Sequence, residues 1–458
     1  MLQYNSVSET PTITALATPV GESAVALIRV SGTLVPQIAQ EIFGRKSLPK
    51  PRQAHLGNYR DLNNVALDQA LYTYFEKDGS YTGESTIEIA CHGNPLIAQK
   101  ILEDLLARGC QLAEPGEFTR TAFLNQRMDL SQAEAVMELI QAKSEKALAV
   151  AQRHLCGGLG ENVRAITGPL VRLCAQLEAY IDFPEEDLPE ENQEGPRAEL
   201  GEILLGIDRL IETNRYHDAL SQGIRLAILG APNAGKSSLL NAILNKDRAI
   251  VSDTPGTTRD FLAERITFGG LNLEIVDTAG IRDGGSEIER LGMEHTLKVA
   301  ENADFYILVI DTTDNLPKFP ETLLGKLTPA NCLIAENKID LQDSKTLTEY
   351  IPELSRQRIS ALCGKGLAEL KTDLQEKLEA FVELPDGETV VINTRHRILL
   401  EEGQKHLLEG QQKLATNGPV ELAASDLRAA LEKISSITGT TDTEDLLDEI
   451  FSSFCIGK

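Results

Sequence analysis

The run GAPNAGKSS at residues 230–238 has the residue types and the spacing of a phosphate-binding loop, G-x-x-x-x-G-K-[ST]. Glycines let backbone N–H groups approach phosphate oxygens, and the helix that follows adds the positive end of its dipole. Lys236 would contact the β- and γ-phosphates, and the Ser237 hydroxyl would bind Mg²⁺. The motif therefore predicts nucleotide contacts from one contiguous set of residues: Asn233, Ala234, Gly235, Lys236, Ser237 and Ser238.

An ordinary glycine-rich turn is the alternative interpretation of this run. The flanking residues favour the phosphate loop instead. IRLAIL at 224–229 is typical of a buried β-strand, and SSLLNAIL at 237–244 has apolar residues at helical spacing. A strand, the loop and a helix, in that order, are the context that this motif requires.

Three further motifs follow in the order expected of a guanine-nucleotide switch protein. Thr257 and Thr258 of PGTTRD offer hydroxyl groups to Mg²⁺. Asp277 of DTAG can reach Mg²⁺ through water, and the Gly280 N–H can approach the γ-phosphate. The Asp340 carboxylate of NKID can accept two hydrogen bonds from guanine N1–H and its 2-amino group, a pair of donors that adenine lacks. The other predicted nucleotide contacts lie in DTAG, NKID and a later SAL motif: Thr278, Ala279, Asn337, Lys338, Ser360, Ala361 and Leu362.

Together the four motifs predict a GTPase on a doubly wound, mostly parallel sheet. One position departs from Ras-type switches, which have a water-orienting Gln after DTAG. This chain has Ile281 there, and an apolar side chain cannot orient water. We therefore expect the catalytic group to come from elsewhere, with Glu287 and Glu289 nearby in RDGGSEIER.

Composition limits the class of protein. A chain of 458 residues with 42% hydrophobic content suggests about three folded domains. The formal charge of −25 argues against capture of nucleic acid by the whole surface, so an RNA substrate needs a local basic patch or a partner protein. Seven scattered cysteines without a CxxC pair argue against a disulfide framework or structural zinc. With no signal peptide and no membrane-length apolar run, we expect a cytoplasmic protein that does not bind membranes.

Residues 1–125 alternate strand and helix patterns, which predicts an α+β domain. The apolar runs at 24–30 and 85–91 each carry one charged residue, Arg29 and Glu88. For both residues the pattern alone favours the solvent face of a half-exposed strand over a binding role. His92, in CHGNP, is interpreted as a turn residue.

Residues 126–220 and 383–458 have mainly helical spacing and flank the nucleotide-binding segment. They predict a discontinuous all-α domain with an α/β Ras-like P-loop GTPase domain, 221–382, inserted in it. One long helix is expected from Met128 to His154, with Ser131 as its cap. The acidic, proline-rich run at 180–196 is expected to be an exposed connection.

The motifs EPGEFTRTAFLN, DLSQAEAV, PNAGKSS, PGTTRD, DTAGIRD and FSSFCIGK resemble those of the MnmE (TrmE) family of tRNA-modification GTPases over nearly the whole chain. The resemblance implies a folate-binding N-terminal domain that forms a homodimer, a helical domain, and a GTPase domain that dimerises transiently around K⁺. It also implies a flavoprotein partner, MnmG. With tRNA as substrate, the complex would install an aminomethyl-type (carboxymethylaminomethyl) group at C5 of the wobble uridine.

The resemblance also assigns residues. A reduced folate, 5-formyl- or methylene-tetrahydrofolate, would be bound by Arg29, Glu88, Arg127 and Lys458, although the family pattern has lysine where this chain has Arg127. The resemblance assigns K⁺ to Asn233, Ser252, Thr254 and Thr257, with Ser252 and Thr257 also at the nucleotide, and it assigns the positioning of the hydrolytic water to Glu289. Cys455 is implied to act at the folate site, and the alternative is packing beside Phe451 and Phe454.

Two other functions are considered. A GTPase switch in ribosome assembly or RNA binding predicts a basic RNA-binding appendage, and the sequence has none. A non-switching scaffold predicts decay of the phosphate loop or of NKID, and both motifs are intact.

Overall fold

The computed structural model describes residues 11–182, 194–221, 223–231, 233–244, 263–277, 303–314, 319, 321–341, 351–382, 390–416, 419–439 and 444–458. The chain divides into two compact units. The first comprises residues 1–137, 155–188 and 405–458, and the second comprises 138–154 and 189–404.

A six-stranded sheet forms the centre of the first unit, with strand order β3-β4-β5-β2-β1-β6. All neighbouring strands are antiparallel except β1 and β6, which are parallel. The strands alternate apolar and polar residues, and one face of the sheet is buried. The other face is exposed at Leu56 and Leu71 and covered at β1, where Ala15 packs with Phe118. Their bounds are β1 (Ile13–Leu16), β2 (Ser23–Ser31), β3 (Ala54–Arg60), β4 (Ala66–Phe75), β5 (Thr86–Gly93) and β6 (Gln111–Leu112).

Two helices, α1 (Val35–Ile42) and α2 (Pro95–Ala107), cover the buried face of this sheet. Their apolar stripes pack in one core with strand residues such as Ile28 and Ile89.

The prediction that His92 is a turn residue is wrong. It lies in β5, where its N–H and its Nδ1 both contact the Asp68 carboxylate at 2.8 Å.

The helix expected from Met128 to His154 is two helices in the structure, α4 (Leu130–Gln141) and α5 (Glu145–Leu155). The Ser144 hydroxyl accepts a hydrogen bond from Ala147 N and so caps α5. The predicted cap Ser131 is also wrong. Asp129 accepts the hydrogen bond from Gln132 N, and Gln132 returns one by accepting from Asp129 N. In sequence, α3 (Glu117–Leu124) precedes these two helices, and α6 (Gly158–Asp182) and α7 (Glu194–Ser221) follow them.

The second unit contains another six-stranded sheet, with strand order β12-β11-β10-β7-β9-β8. It is parallel except for β8, an antiparallel edge strand. Apolar clusters bury both faces, as expected of parallel strands. The strands are β7 (Ile224–Gly230), β8 (Ala263–Phe268), β9 (Leu271–Asp277), β10 (Phe305–Asp311), β11 (Cys332–Asn337) and β12 (Arg356–Arg358), and the helices are α8 (Lys236–Leu244), α9 (Glu321–Leu324) and α10 (Leu367–Phe381).

After α10 the chain returns to α7. Val391 packs with Leu220 in one apolar cluster, and the Ile392 N–H donates to Thr213 Oγ1 at 3.2 Å. The Val391 N–H donates to Nε2 of the buried His154 at 3.3 Å. The points where the chain enters and leaves the second sheet are therefore joined side by side.

Three helices complete the chain: α11 (Thr394–Ala415), α12 (Val420–Ser435) and α13 (Glu444–Ser452). The α13 residues Leu447 and Phe451 pack with Leu130 and Met137 of α4. The predicted fold class is confirmed: an α+β N-terminal domain, helical segments, and a doubly wound α/β sheet inserted between them. In the described part of the chain, no helix is both long enough and apolar enough to cross a membrane.

Candidate functional site

The loop between β7 and α8 has the expected geometry for holding phosphate. Lys236 Nζ donates hydrogen bonds to the carbonyl oxygens of Gly230 and Ala231, both at 3.0 Å. Asn233 and Gly235 have φ values of +62° and +99°, which turn the backbone into a left-handed curl before the helix. Backbone N–H groups in such a curl, at a helix N-terminus, attract anions.

The Asn337 side chain joins this loop to two others. Its Nδ2 donates to the Ala234 carbonyl oxygen at 2.8 Å, and its Oδ1 accepts from Ala361 N at 2.9 Å. A Cβ atom added to Gly235 would lie 2.1 Å from Asn337 Nδ2, so the close approach requires glycine. The structure thus brings together three motifs that lie far apart in the sequence.

Lys338 and Asp340 extend from the same strand end. Lys338 Nζ forms an ion pair with Asp311 at 2.5 Å. Burial of the Asp311 carboxyl would raise its pKa, but hydrogen bonds from Lys338 and Thr313 outweigh burial and hold the pKa below its ordinary 3.8. Asp340 and Leu362 are exposed, while Ser360 is buried and accepts a hydrogen bond from Cys363 N on its hydroxyl.

Several predicted residues cannot be assigned a geometry. Asp277 ends β9 beside β7, and its side chain is not among those described. The following residues lie outside the described ranges: Ser252, Thr254, Thr257, Thr258, Thr278, Ala279, Gly280, Ile281, Glu287 and Glu289.

A second polar cluster lies on the face of the first sheet opposite α1 and α2, where the Tyr81 and Phe118 rings cover it. Arg29 and Glu88 are partners in the β2–β5 register. Arg29 Nε and Nη2 donate to Glu88 Oε1 at 3.1 and 2.8 Å, while Nη1 donates to the Gly457 carbonyl oxygen at 3.2 Å. The guanidinium carbon lies 5.7 Å from the Tyr81 ring centroid and 5.6 Å from that of Phe118. The Arg29 side chain is only 13% exposed, so it does not belong to a solvated strand face.

The C-terminal tail reaches this cluster because it is bound along its length. Phe451 and Phe454 are buried, and the Cys455 carbonyl oxygen accepts from Gly116 N at 3.4 Å. Gly457 has φ of +90°, and a Cβ there would lie 2.8 Å from the Leu16 carbonyl oxygen. Cys455 itself is an exposed free thiol. The two phenylalanines therefore pack the tail against the domain, and the Cys455 side chain does not.

The last two predicted residues of this cluster differ in placement. Lys458 follows Gly457 directly and is partly buried. Arg127 is exposed, and its Cγ would be 3.3 Å from a Cβ on Gly83, next to the Tyr81 segment. Sequence reasoning missed Tyr81, Phe118 and Gly116. The EPGEF run contained the last two, but nothing in it indicated contact with the far end of the chain.

A doubly wound sheet with a phosphate loop after β7, tied by Asn337 to the SAL segment after β12, defines a P-loop GTPase. The match to known families narrows this class. Residues 12–127 match the family “GTP-binding protein TrmE N-terminus”, and residues 130–455 match “MnmE helical domain”. The chain belongs to the MnmE family of tRNA modification GTPases.

Individual relatives support this membership over the full length. The chain is 44% identical over 448 residues to the tRNA modification GTPase MnmE of Opitutus terrae, a match covering 98% of this chain and 99% of the relative. The MnmE of Aquifex aeolicus is 39% identical over 447 residues, covering 97% and 99%. That of Thermotoga maritima is 38% identical over 459 residues, covering 98% and 100%. The chain is accordingly a GTP-binding and GTP-hydrolysing protein of tRNA modification.

Proposed function

We propose that this chain is a K⁺-dependent GTP hydrolase that acts in the cytoplasm with the flavoprotein MnmG. The pair would install an aminomethyl-type (carboxymethylaminomethyl) group at C5 of the tRNA wobble uridine, with a one-carbon unit from a reduced folate. One observation carries this proposal: the chain that holds the phosphate loop also holds a second cluster, in which Arg29, Glu88 and the C-terminal Gly457 meet. The proposed domains are the predicted ones, 1–125, 126–220 with 383–458, and 221–382.

In the GTP complex, Lys236 and the backbone of its loop would bind the phosphates. The carbonyl oxygens of Gly230 and Ala231 already hold the Lys236 ammonium group at the loop. The exposed Asp340 carboxylate would accept the two guanine donors. Asn337 holds the Ala361 N–H in place, so the neighbouring backbone can donate to guanine O6. The nucleotide would thus be bound at both ends by loops that the Asn337 side chain connects.

Two cations complete the proposed site. Ser237 and Thr258 would bind Mg²⁺, and Asn233, Ser252, Thr254 and Thr257 would bind K⁺. Ser237 and Asn233 are exposed at the phosphate loop, and both offer the oxygen ligands that hard cations prefer. K⁺ bound there would supply the positive charge against the phosphates that an arginine finger supplies in other GTPases. Glu289 would orient the attacking water, because Ile281 cannot.

The Arg29 cluster fits one end of a folate. A carboxylate suits the paired N–H donors of a pterin, and Glu88 uses Oε1 for both bonds to Arg29. Within the described residues no hydrogen bond reaches Glu88 Oε2, so this oxygen could accept from a ligand. Arg127 and Lys458 would contact the folate carboxylates. Arg29 would then bind the tail and orient Glu88 rather than neutralise the ligand.

The exposed part of the first sheet supports a homodimer. Leu56 and Leu71 are cross-strand partners there and are 62% and 51% exposed, and Val25 on β2 is 53% exposed. Such an apolar row is typical of a surface that another protein covers. A second copy of this chain is the proposed occupant. The net charge of −25 supports the need for a partner such as MnmG in binding tRNA.

The decisive experiment combines this chain, MnmG, unmodified tRNA, GTP, Mg²⁺, K⁺, 5-formyl- or methylene-tetrahydrofolate and glycine, the amine that completes a carboxymethylaminomethyl group. Mass analysis of the nucleosides follows. We expect a modified wobble uridine only when every component is present. Modification without folate, or without this chain, would contradict the proposal.

The cation assignment is tested separately by GTP turnover in matched salts. Replacing K⁺ with Na⁺ should slow hydrolysis strongly, and Glu289→Ala should lower kcat with little change in nucleotide affinity. Equal rates in K⁺ and Na⁺ would reject the K⁺ site. A parallel loss of affinity in Glu289→Ala would indicate structural damage instead.

A further inference from the structure

Glu336 is a buried carboxylate beside the base-binding segment. It occupies β11 directly before Asn337, and its side chain is 1% exposed. Alternation along the strand puts it on the same face as Cys332 and Ile334, which belong to an apolar cluster. A buried carboxylate is costly unless it is paired. Glu336 therefore requires basic partners.

Two arginines of the edge strand β12 provide the pairing. Arg356 Nη1 lies 3.4 Å from Glu336 Oε1, and Arg358 Nε lies 3.6 Å from Oε2. Glu336 and Arg358 are direct register partners between the strands. No hydrogen bond from the described residues reaches Oε2, so one side of the carboxylate is held by charge attraction alone. One acidic side chain thus bridges two basic ones on the neighbouring strand.

This ion-paired group lies immediately before both segments that would contact the base. β11 continues into Asn337, whose Oδ1 accepts from Ala361 N. β12 continues into Ile359, whose N–H donates to the Glu336 carbonyl oxygen at 2.8 Å. β12 has only three residues and lies at the edge, so backbone pairing alone holds it weakly. The side-chain pairing is a second connection between the two segments, besides the backbone hydrogen bonds.

We propose that Glu336, through Arg356 and Arg358, is a positioning residue for the guanine base. The inference rests on the proposed nucleotide site. Glu336 does not touch the base. It holds β12 against β11, so that Asp340 and the backbone at residues 360–362 face the two edges of one purine ring. Loss of the charge lets the segments separate and weakens contacts to the base, while the phosphate contacts at Lys236 remain.

The test is Glu336→Gln in the full chain, with GTP hydrolysis measured over a range of GTP concentrations. KM should rise about tenfold, which corresponds to about 1.4 kcal/mol. This is less than the loss of folding free energy when a buried ion pair is broken. The kcat should stay close to that of the unchanged protein. Inhibition by guanosine should weaken by a similar factor, and inhibition by tripolyphosphate should not change. Unchanged KM and unchanged guanosine inhibition would overturn the proposal.

Glu274→Gln is the matched control. Glu274 pairs with Arg225 at 3.5 Å across β9 and β7 of the same sheet, away from the base-binding segments. It should leave KM unchanged, so an equal rise in KM there would overturn the positioning role. If Glu336→Gln fails to fold, Arg358→Gln carries the test, because that side chain is 46% exposed and its loss leaves the core intact. It should raise KM in the same direction by a smaller factor, and no rise would also overturn the proposal.

Failure of the underlying site is recognised separately with Asp340→Asn in the otherwise unchanged chain. If this variant keeps full preference for GTP over XTP, the proposed base site itself is wrong. If it loses that preference and Glu336→Gln changes nothing, only the positioning role is wrong.

Discussion

The two sheets present their polar residues in opposite ways. In the parallel sheet the candidate residues follow the ends of strands, in contiguous motifs after β7 and β11. In the antiparallel sheet they lie in the middle of strands on the face opposite α1 and α2, and the third member comes from the C-terminus. Arg29 and Glu88 are 59 residues apart, and Arg29 and Gly457 are 428 apart. Each motif of the first arrangement is contiguous in sequence, although folding brings the motifs together. The second arrangement has no contiguous motif and exists only once the chain has folded.

The strongest test of this contrast removes the close approach in the parallel sheet. Gly235→Ala would place a methyl group against Asn337 Nδ2 in a left-handed backbone. Overpacking and strain of about 3 kcal/mol predict a roughly 100-fold loss of GTP hydrolysis. Folate binding, measured by calorimetry, should be unchanged.

Gly270→Ala is the control for backbone strain alone. It also has a left-handed backbone, with φ of +77°, but nothing lies within 4 Å of an added Cβ. It should keep nearly normal hydrolysis with a slightly lower melting temperature. Equal losses in the two variants would mean that strain, and not the contact between loops, limits activity.

The corresponding test in the antiparallel sheet is Arg29→Ala. It should weaken reduced-folate binding by about 1.5–3 kcal/mol, roughly 10- to 150-fold, the scale of hydrogen bonds to charged groups. GTP hydrolysis should not change. Arg60→Ala, in β3 of the same sheet, is the control and should bind folate normally. Unchanged affinity in Arg29→Ala would remove the folate assignment from this cluster.

Cys455→Ser sharpens the contrast at the tail. The main-chain bond from Gly116 N and the packing of Phe454 do not depend on the thiol, so the tail should stay bound. We expect unchanged GTP hydrolysis and wobble-uridine modification lowered by about tenfold or more, since a hydroxyl is a much weaker nucleophile than a thiol. Full modification would show that the thiol is not needed. Loss of both activities, with a lower melting temperature, would favour packing.

The smallest expected effect is on acid stability. Burial would raise the pKa of Asp68, but hydrogen bonds from His92 and Gln69 outweigh it, so the pKa lies below 3.8, as does that of Asp311 in the other sheet. A depressed native pKa stabilises the fold above the unfolded value, and this stability is lost as pH falls through the native value. Melting temperatures should therefore fall below about pH 4, and less steeply in Asp68→Asn and Asp311→Asn. The two changes share no partner and should add; strong non-additivity would contradict independence.

How much the sequence predicts differs between the sheets for the same reason. The strands, the helices and the phosphate loop were predictable because the spacing of apolar residues and of glycines can be recognised within a short stretch of sequence. His92 was misassigned because its CHGNP context signals a turn, while pairing with Val25 and the bond to Asp68 extend β5 through it. The α4–α5 break was missed because apolar period continues across it, and only Ser144 marks the new start. Neither the Arg29–Gly457 contact nor the Glu336 pairing has a local signature.

The joined ends at Leu220 and Val391 have a consequence for how such a chain can arise. Residues 222–389 connect α7 to α11, and the residues at the two ends of this connection are in contact. For the entropy of the chain, the whole segment is therefore one closed loop. The entropy of closing a loop grows only with the logarithm of its length. A whole folded sheet between the helices therefore loses little more loop-closure entropy than a long linker would. The length and internal structure of the inserted segment can vary as long as its two ends can still meet.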